Sequence, residues 1–192
     1  PVYGHSRTRE ANAQRQYCYY TYYAPPISSE QANDKNRIIS PLFLYGYKTF
    51  QNKIQLYKAL KKIFKNNFSF NKISAAFDEA LSFNENSIIM MQKRCEKEIK
   101  KSKDINIVLL GRPYTTLLKS MNNGIPDILA KHGIKYFYQN MIKYNKKDVQ
   151  DVEPLLTAFH WHFASKIIGA TSKIAKTKGL YPILITSFKC SP

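Results

Sequence analysis

The chain has 192 residues, of which 44% are hydrophobic, and this length suffices for one globular domain or for one domain with an appended helical segment. No apolar run approaches the roughly eighteen residues of a membrane span and no signal-peptide pattern opens the chain, so we expect a cytoplasmic protein without a membrane segment. The formal net charge of +17 makes nucleic acid a partner to consider. The three cysteines are too few and too scattered for a disulfide framework, so reduced thiols are expected.

Residues 1–48 form the first segment and contain two short apolar runs. The aromatic run at 17–26 ends in two prolines, which predicts a short strand entering a turn. The run at 38–44 is broken by Pro41 and is likewise predicted to be a strand end that feeds a loop.

Residues 49–103 form the second segment, and their apolar residues recur at three and four positions. This period predicts amphipathic helices from about Thr49 to Phe64 and from about Asn71 to Lys101. Cys95 lies on the apolar stripe of the second helix, so we expect it to be a structural core residue.

Much of the positive charge lies on this helical segment, between Lys48 and Lys103. The preferred interpretation is a solvated, Lys-rich helix face. An acidic protein partner or neighbouring domain is the next alternative, and nucleic acid is the least favoured, although a phosphate backbone rewards clustered Lys by counterion release.

Residues 104–192 form the third segment, in which strands and helices alternate. The predicted elements are a strand at Ile105–Leu110, a loop through Tyr114, a helix near Ile125–His132 ended by Gly133, a strand at Ile134–Tyr138, a helix from about Pro154 to Lys178 and a strand at Tyr181–Phe188. This order is typical of a right-handed, open parallel sheet.

The predicted fold is therefore α/β, with an open, mainly parallel, Rossmann-like sheet and an appended Lys-rich helical segment. Residues 1–192 are expected to form one domain. A start without Met and an end at Pro192, directly after an apolar run, suggest an excerpt from a longer polypeptide.

Ligands of such sheets gather where loops leave the carboxyl ends of the strands. Three loops are expected there, at 111–114, at 139–140 and at 188–192. In the first loop, Arg112 can present its planar guanidinium to a carboxylate, a phosphate or a partner, or can serve as a structural ion pair. Asn123 and Gly124 precede the next helix, where a cap and an anion site are expected.

Several segments of the chain carry a family resemblance. Gly111-Arg112-Pro113-Tyr114, followed by Asn123-Gly124-Ile125-Pro126, resembles the Gly-Arg-Pro-Tyr and Gly-Ile-Pro pattern of activase-related, DUF2229-like proteins of the 2-hydroxyacyl-CoA dehydratase group. The segment at 186–192 resembles their Asn-Phe-Gly-Cys-Gly-Pro segment, and the segment at 17–21 resembles their upstream cysteine segment. The resemblance thus covers nearly the whole chain.

This resemblance implies a dehydratase-like domain of an anaerobic iron–sulfur protein. Cys18 and Cys190 would then be thiolate ligands of a 4Fe-4S cluster. The implied partners are an actin-like ATPase and a dehydratase-like domain, which would act together in low-potential electron transfer. The chain has no nucleotide-binding motif, so ATP would be used by other domains, and the chain alone is not expected to be a complete enzyme.

The chain also departs from the family pattern at several positions. Lys189 and Ser191 replace the two glycines that flank the last cysteine, and Thr115 replaces a frequent His. Gln139 and Asn140 replace an acidic pair. These changes motivate an alternative function, a non-catalytic scaffold or binding domain of the same fold that has lost its cluster.

Overall fold

The computed structural model describes residues 2–4, 19–32, 38–45, 49–64, 68–102, 104–158 and 162–186. The helices are α1 (Tyr19–Gln31), α2 (Thr49–Phe64), α3 (Phe70–Lys101), α4 (Pro113–Leu117), α5 (Lys119–Asn122), α6 (Ile125–Lys131), α7 (Glu153–Ala158) and α8 (His162–Ala175). The strands are β1 (Val2–Gly4), β2 (Phe43–Tyr45), β3 (Asn106–Leu110), β4 (Lys135–Tyr138) and β5 (Leu180–Leu184). Short 3₁₀ helices follow β4 at Gln139–Met141 and precede α7 at Lys146–Val152.

The chain divides into two compact units, Pro1–Asn84 and Glu85–Pro192, and the division falls within α3. The sequence predicts one domain over residues 1–192, and this domain organisation stays a prediction. None of the described helices is long and apolar enough to cross a membrane.

In the first unit, the prediction of a strand at 17–26 is wrong for its described part. Residues from Tyr19 form helix α1, which includes Pro25 and Pro26 and continues to Gln31. Tyrosine favours a strand when it packs on a half-buried pleated surface. Tyr23 instead is 51% exposed, so the surroundings that would favour a strand are missing.

Helix α2 covers the predicted residues, and α3 begins one residue before the predicted start, so both predicted helices are confirmed. Aromatic contacts join them within the first unit: Phe50 and Tyr57 both meet Phe70 edge-on, with ring centroids 5.8 and 5.6 Å apart. The Nζ atom of Lys53 lies 2.6 Å from an Asp78 carboxylate oxygen. No residue of α2 is buried.

The second unit contains a three-stranded, all-parallel sheet in the order β4-β3-β5, which confirms the predicted fold class. In its register, Leu109 of β3 pairs with Tyr138 on one side and with Ile183 on the other. Gly133 ends α6 with a φ of 68°, as the sequence predicts. Strand β5 ends at Leu184, and residues 187–188 of its predicted range lie outside the described residues.

Two predictions for the second unit need correction. Pro113 and Tyr114, expected in a loop, begin α4, because proline at the first helical position has its φ already set for a helix. The single helix expected at 154–178 is described as α7 and α8, with residues 159–161 outside the described part. Helix α8 ends at Ala175, because the chain turns into β5 through Gly179, whose φ is 82°.

The core of the second unit lies on one face of the sheet. Val108 and Leu110 of β3 point to this face, since alternate residues of a strand share a face. Cys95 of α3 and Ala170 and Ile174 of α8 cover them. Cys95 is 1% exposed, which confirms its predicted core position, and α3 therefore contributes to this core.

Candidate functional site

The carboxyl ends of the three parallel strands meet at one edge of the sheet, with β3 in the centre. The backbone N of Gly111 donates a hydrogen bond to Oε1 of Gln139, 3.2 Å away, and joins the ends of β3 and β4. The backbone N of Ile185 donates to the carbonyl oxygen of Leu110 at 2.8 Å and joins the end of β5. Two of the three predicted loops therefore meet here, and the third, at 188–192, lies outside the described residues.

Gly111 allows the chain to approach itself closely at this edge. Its φ of 147° is rarely adopted by residues with a side chain. A Cβ atom at this position would overlap the carbonyl oxygen of Ile185 and would lie 3.0 Å from Oγ1 of Thr115. Only glycine fits without moving the end of β5.

Arg112 and Tyr114 form an interacting pair on the outer side of the edge. Nη1 of Arg112 donates to the hydroxyl oxygen of Tyr114 at 3.2 Å, and Tyr114 is 37% exposed. The carbonyl oxygen of Arg112 accepts bonds from the backbone N atoms of Thr115 and Thr116, at 2.9 and 3.0 Å. The backbone of Arg112 thus begins α4, while its side chain contacts a partly exposed tyrosine.

Asn123 and Gly124 adopt consecutive left-handed conformations, with φ values of 51° and 72°. Gly124 is the N-cap of α6 and has no side-chain cap. The residue that holds this turn is Asn122, which is buried: its Oδ1 accepts from the N of Gly124, and its Nδ2 donates to the carbonyl oxygen of Thr116, both at 2.9 Å. Sequence analysis missed Asn122, because its two partners are backbone atoms on either side of it.

The start of α6 also carries its own charge pair. Asp127 in the first turn lies 2.7 Å from Nζ of Lys119, and this hydrogen bond and charge lower the pKa of the Asp127 carboxyl. The anion site at Asn123 and Gly124 stays a prediction. The carboxylate of Asp127 already lies in the first turn of α6, next to these two residues.

A cavity of about 260 Å³ opens beyond the carboxyl end of β4. It is lined by Ile88, Gln92, Gln139, Asn140, Ile142, Lys143, Tyr144 and Lys166. Nε2 of Gln92 donates to the carbonyl oxygen of Asn140 at 3.2 Å, which joins α3 to the segment after β4. Gln139 therefore contributes both to the sheet edge and to the cavity wall.

Tyr144 packs closely on α8 beside this cavity. A Cβ atom at Gly169 would lie 2.5 Å from Cζ of the Tyr144 ring, so the absence of a side chain at 169 makes room for the ring. Burial raises the pKa of the Tyr144 hydroxyl, which therefore stays protonated at neutral pH.

The predicted cluster ligands, Cys18 and Cys190, lie outside the described residues. Within the described ranges, no group of three or more His, Cys, Asp or Glu side chains could hold a metal ion. Cys95 is described, but burial and the neighbouring Glu96 raise the pKa of its thiol to about 12. Its side chain is 1% exposed and packs in the hydrophobic core, so the structure gives Cys95 a packing role.

Comparison with known families gives one match. The model of the CoA enzyme activase uncharacterised domain (DUF2229) matches residues 1–142, well over half of the chain. The matched residues include the Gly111–Tyr114 loop and both residues of the left-handed turn, and they end before α8 and β5. No curated protein and no solved structure matches the chain.

Proposed function

Since this chain belongs to the family of the CoA enzyme activase uncharacterised domain (DUF2229), we propose that it takes part in ATP-driven, low-potential electron transfer that activates a 2-hydroxyacyl-CoA dehydratase-like enzyme. The observation that carries this proposal is the family match over residues 1–142, which includes the Gly111–Tyr114 motif at the end of the central strand. ATP hydrolysis belongs to an actin-like ATPase domain or partner, because the chain has no nucleotide-binding motif.

Cys18 and Cys190 are the proposed thiolate ligands of a 4Fe-4S cluster, which supplies one-electron transfer at low potential when bound. In the sequence, Cys190 comes five residues after Ile185, whose backbone N is bonded at the sheet edge. Such a cluster usually takes four cysteine ligands, so the remaining ones would come from other parts of a longer polypeptide or from a partner. The buried, protonated thiol of Cys95 has no part in this proposal.

Arg112 and Tyr114 are the proposed partner-facing residues. A guanidinium held by a hydrogen bond to the Tyr114 hydroxyl can bind a carboxylate of a protein partner in a bidentate manner. The Arg112→Gln variant should weaken binding to a purified dehydratase-like component and leave the iron content unchanged. Unchanged binding would show that Arg112 is not part of the interface.

Anaerobic purification of the full-length protein, followed by iron and sulfide analysis, tests the cluster. Wild type and Cys95→Ala should contain both elements, whereas Cys18→Ser and Cys190→Ser should lose most of them. The Cys95→Ala control removes a thiol that is not proposed as a ligand. A wild-type protein without iron and sulfide, or serine variants with full content, would contradict the cluster proposal.

A second candidate function is a binding scaffold of the same fold that has lost its cluster. Gln139 favours it, because Gln139 and Asn140 replace an acidic pair that the family resemblance implies, and the Gln139 side chain is 8% exposed and hydrogen-bonded to Gly111. An amide fixed in this way holds the sheet edge together and adds no charge. A wild-type protein that binds the purified ATPase component without containing iron or sulfide would favour the scaffold.

A further inference from the structure

The cavity beyond β4 has a lining that carries positive charge and no negative charge. Lys143 follows β4, and Lys166 lies on α8, and both line the cavity. No Asp or Glu is among the lining residues. In the part of the chain that the structure describes, neither lysine has a carboxylate within ion-pair distance.

Four of the eight carboxylates of the second unit are engaged with other lysines. The ion pairs are Lys119 with Asp127, Lys135 with Glu98, Lys173 with Asp148 and Lys176 with Asp151. Three of these carboxylates, Asp127, Asp148 and Asp151, have a lowered pKa, chiefly because of hydrogen bonds, and thus remain charged on their own partners at neutral pH. The positive charge at the cavity is therefore not neutralised by these four carboxylates.

The cavity also has neutral hydrogen-bonding side chains on residues that are held in place by hydrogen bonds. Oε1 of Gln139 is occupied by the N of Gly111, so the Nε2 donor is the part of this amide that remains for a ligand. The position of Asn140 is fixed by the bond from Gln92 to its carbonyl oxygen. The buried side chain of Ile142 and the Tyr144 ring provide apolar wall.

From this lining we infer that the cavity binds a small oxyanion, a phosphate or a carboxylate group, between Lys143 and Lys166. Ammonium groups and amide N–H groups are the donors that such oxygens require, and hydrogen bonds to charged groups are the stronger kind. The volume of about 260 Å³ lies below the roughly 300 to 1,000 Å³ of sites for drug-sized ligands, so the ligand is small. This inference is independent of the iron–sulfur proposal.

Isothermal titration calorimetry of the full chain tests the inference, with inorganic phosphate in one arm and succinate in the other at constant ionic strength. At least one of them should bind saturably at one site, with a Kd of about 1 mM or tighter. Binding of phosphate alone identifies a phosphate site, and binding of succinate alone identifies a carboxylate site. Absence of saturable binding in both arms would overturn the inference.

Charge variants separate this site from unspecific attraction by a chain of net charge +17. Lys143→Gln and Lys166→Gln should each weaken binding about tenfold or more, because each removes a charge-assisted hydrogen bond. Lys178→Gln is the matched control: it removes one exposed charge of the same unit outside the cavity lining, and it should leave Kd unchanged within about twofold. An equal loss of affinity in all three variants would show unspecific charge attraction and would overturn the proposed site.

Discussion

The two units of the chain differ in how their helices use their apolar stripes. In the first unit, α2 has a clear amphipathic pattern, yet none of its residues is buried, and its contacts include aromatic pairs and the Lys53–Asp78 ion pair. In the second unit, α3 and α8 cover the sheet, and every buried hydrophobic side chain among the described residues belongs to this unit. A helical period thus predicts a helix without predicting how deeply its stripe is buried.

The largest expected effect is the loss of a core side chain in the second unit. Ile174→Ala should lower the free energy of unfolding by about 3 to 4 kcal/mol, because a fully buried isoleucine leaves a cavity. The matched change in α2, Ile63→Ala, removes a side chain that is 40% exposed and should cost about 1 kcal/mol or less. Urea unfolding measures both, and equal losses would show that the two units do not differ in this way.

The next effect is at the sheet edge of the second unit. Gly111→Ala should lower the free energy of unfolding by about 2 to 3 kcal/mol, because it adds a strained φ and an overlap of the new Cβ with the carbonyl oxygen of Ile185. Gly133→Ala is the control, since its φ is also positive but a Cβ would meet no atom within 4 Å, and it should cost about 1 kcal/mol. Thermal unfolding compares the two variants. Equal losses of stability would exclude the close approach to Ile185 as the cause.

A smaller effect is expected in the first unit. Phe70→Ala should cost about 1 to 2 kcal/mol, because it removes the ring that both Phe50 and Tyr57 contact. Phe70→Leu keeps apolar volume and should recover about half of this loss. Hydrogen exchange should show reduced protection in the first unit, and a loss of protection throughout β3 as well would show that the units unfold together.

The last effect is absent at neutral pH, is confined to high pH and concerns the thiol of Cys95. The pKa of this thiol is raised by burial, and secondarily by Glu96, from 9.0 to about 12, so the unfolded chain releases the proton first. The contribution to stability is complete below pH 9 and is lost as pH rises towards 12. The free energy of unfolding of wild type and of Cys95→Ala, measured between these pH values, should diverge as the pH rises. Parallel pH profiles of the two proteins would contradict a contribution from the Cys95 thiol.

Elements with a strong local pattern were predictable from the sequence. Helix α2 follows from the period of its apolar residues, the central strand β3 from its continuous apolar run, and the end of α6 from Gly133. The family assignment followed from Gly111–Tyr114 and the turn after it.

Other features depend on partners distant in sequence, and local patterns do not contain them. From the sequence, Gln139 indicates only the loss of a negative charge. In the structure its side chain accepts a hydrogen bond from the backbone N of Gly111, 28 residues earlier. The cavity brings Lys143 together with Lys166 across a segment that contains a 3₁₀ helix and α7. Helix α1 was missed because the strand propensity of tyrosine depends on a sheet neighbour that the sequence cannot reveal.

The contact between Gly111 and Ile185 has a mechanical consequence. A Cβ at Gly111 would already overlap the carbonyl oxygen of Ile185, and Ile185 is also bonded to Leu110, so there is no slack between these two stretches of backbone. A displacement of Gly111 towards β5 by a few tenths of an ångström would therefore push on Ile185. The ends of β3 and β5 are mechanically coupled, so neither can shift without moving the other.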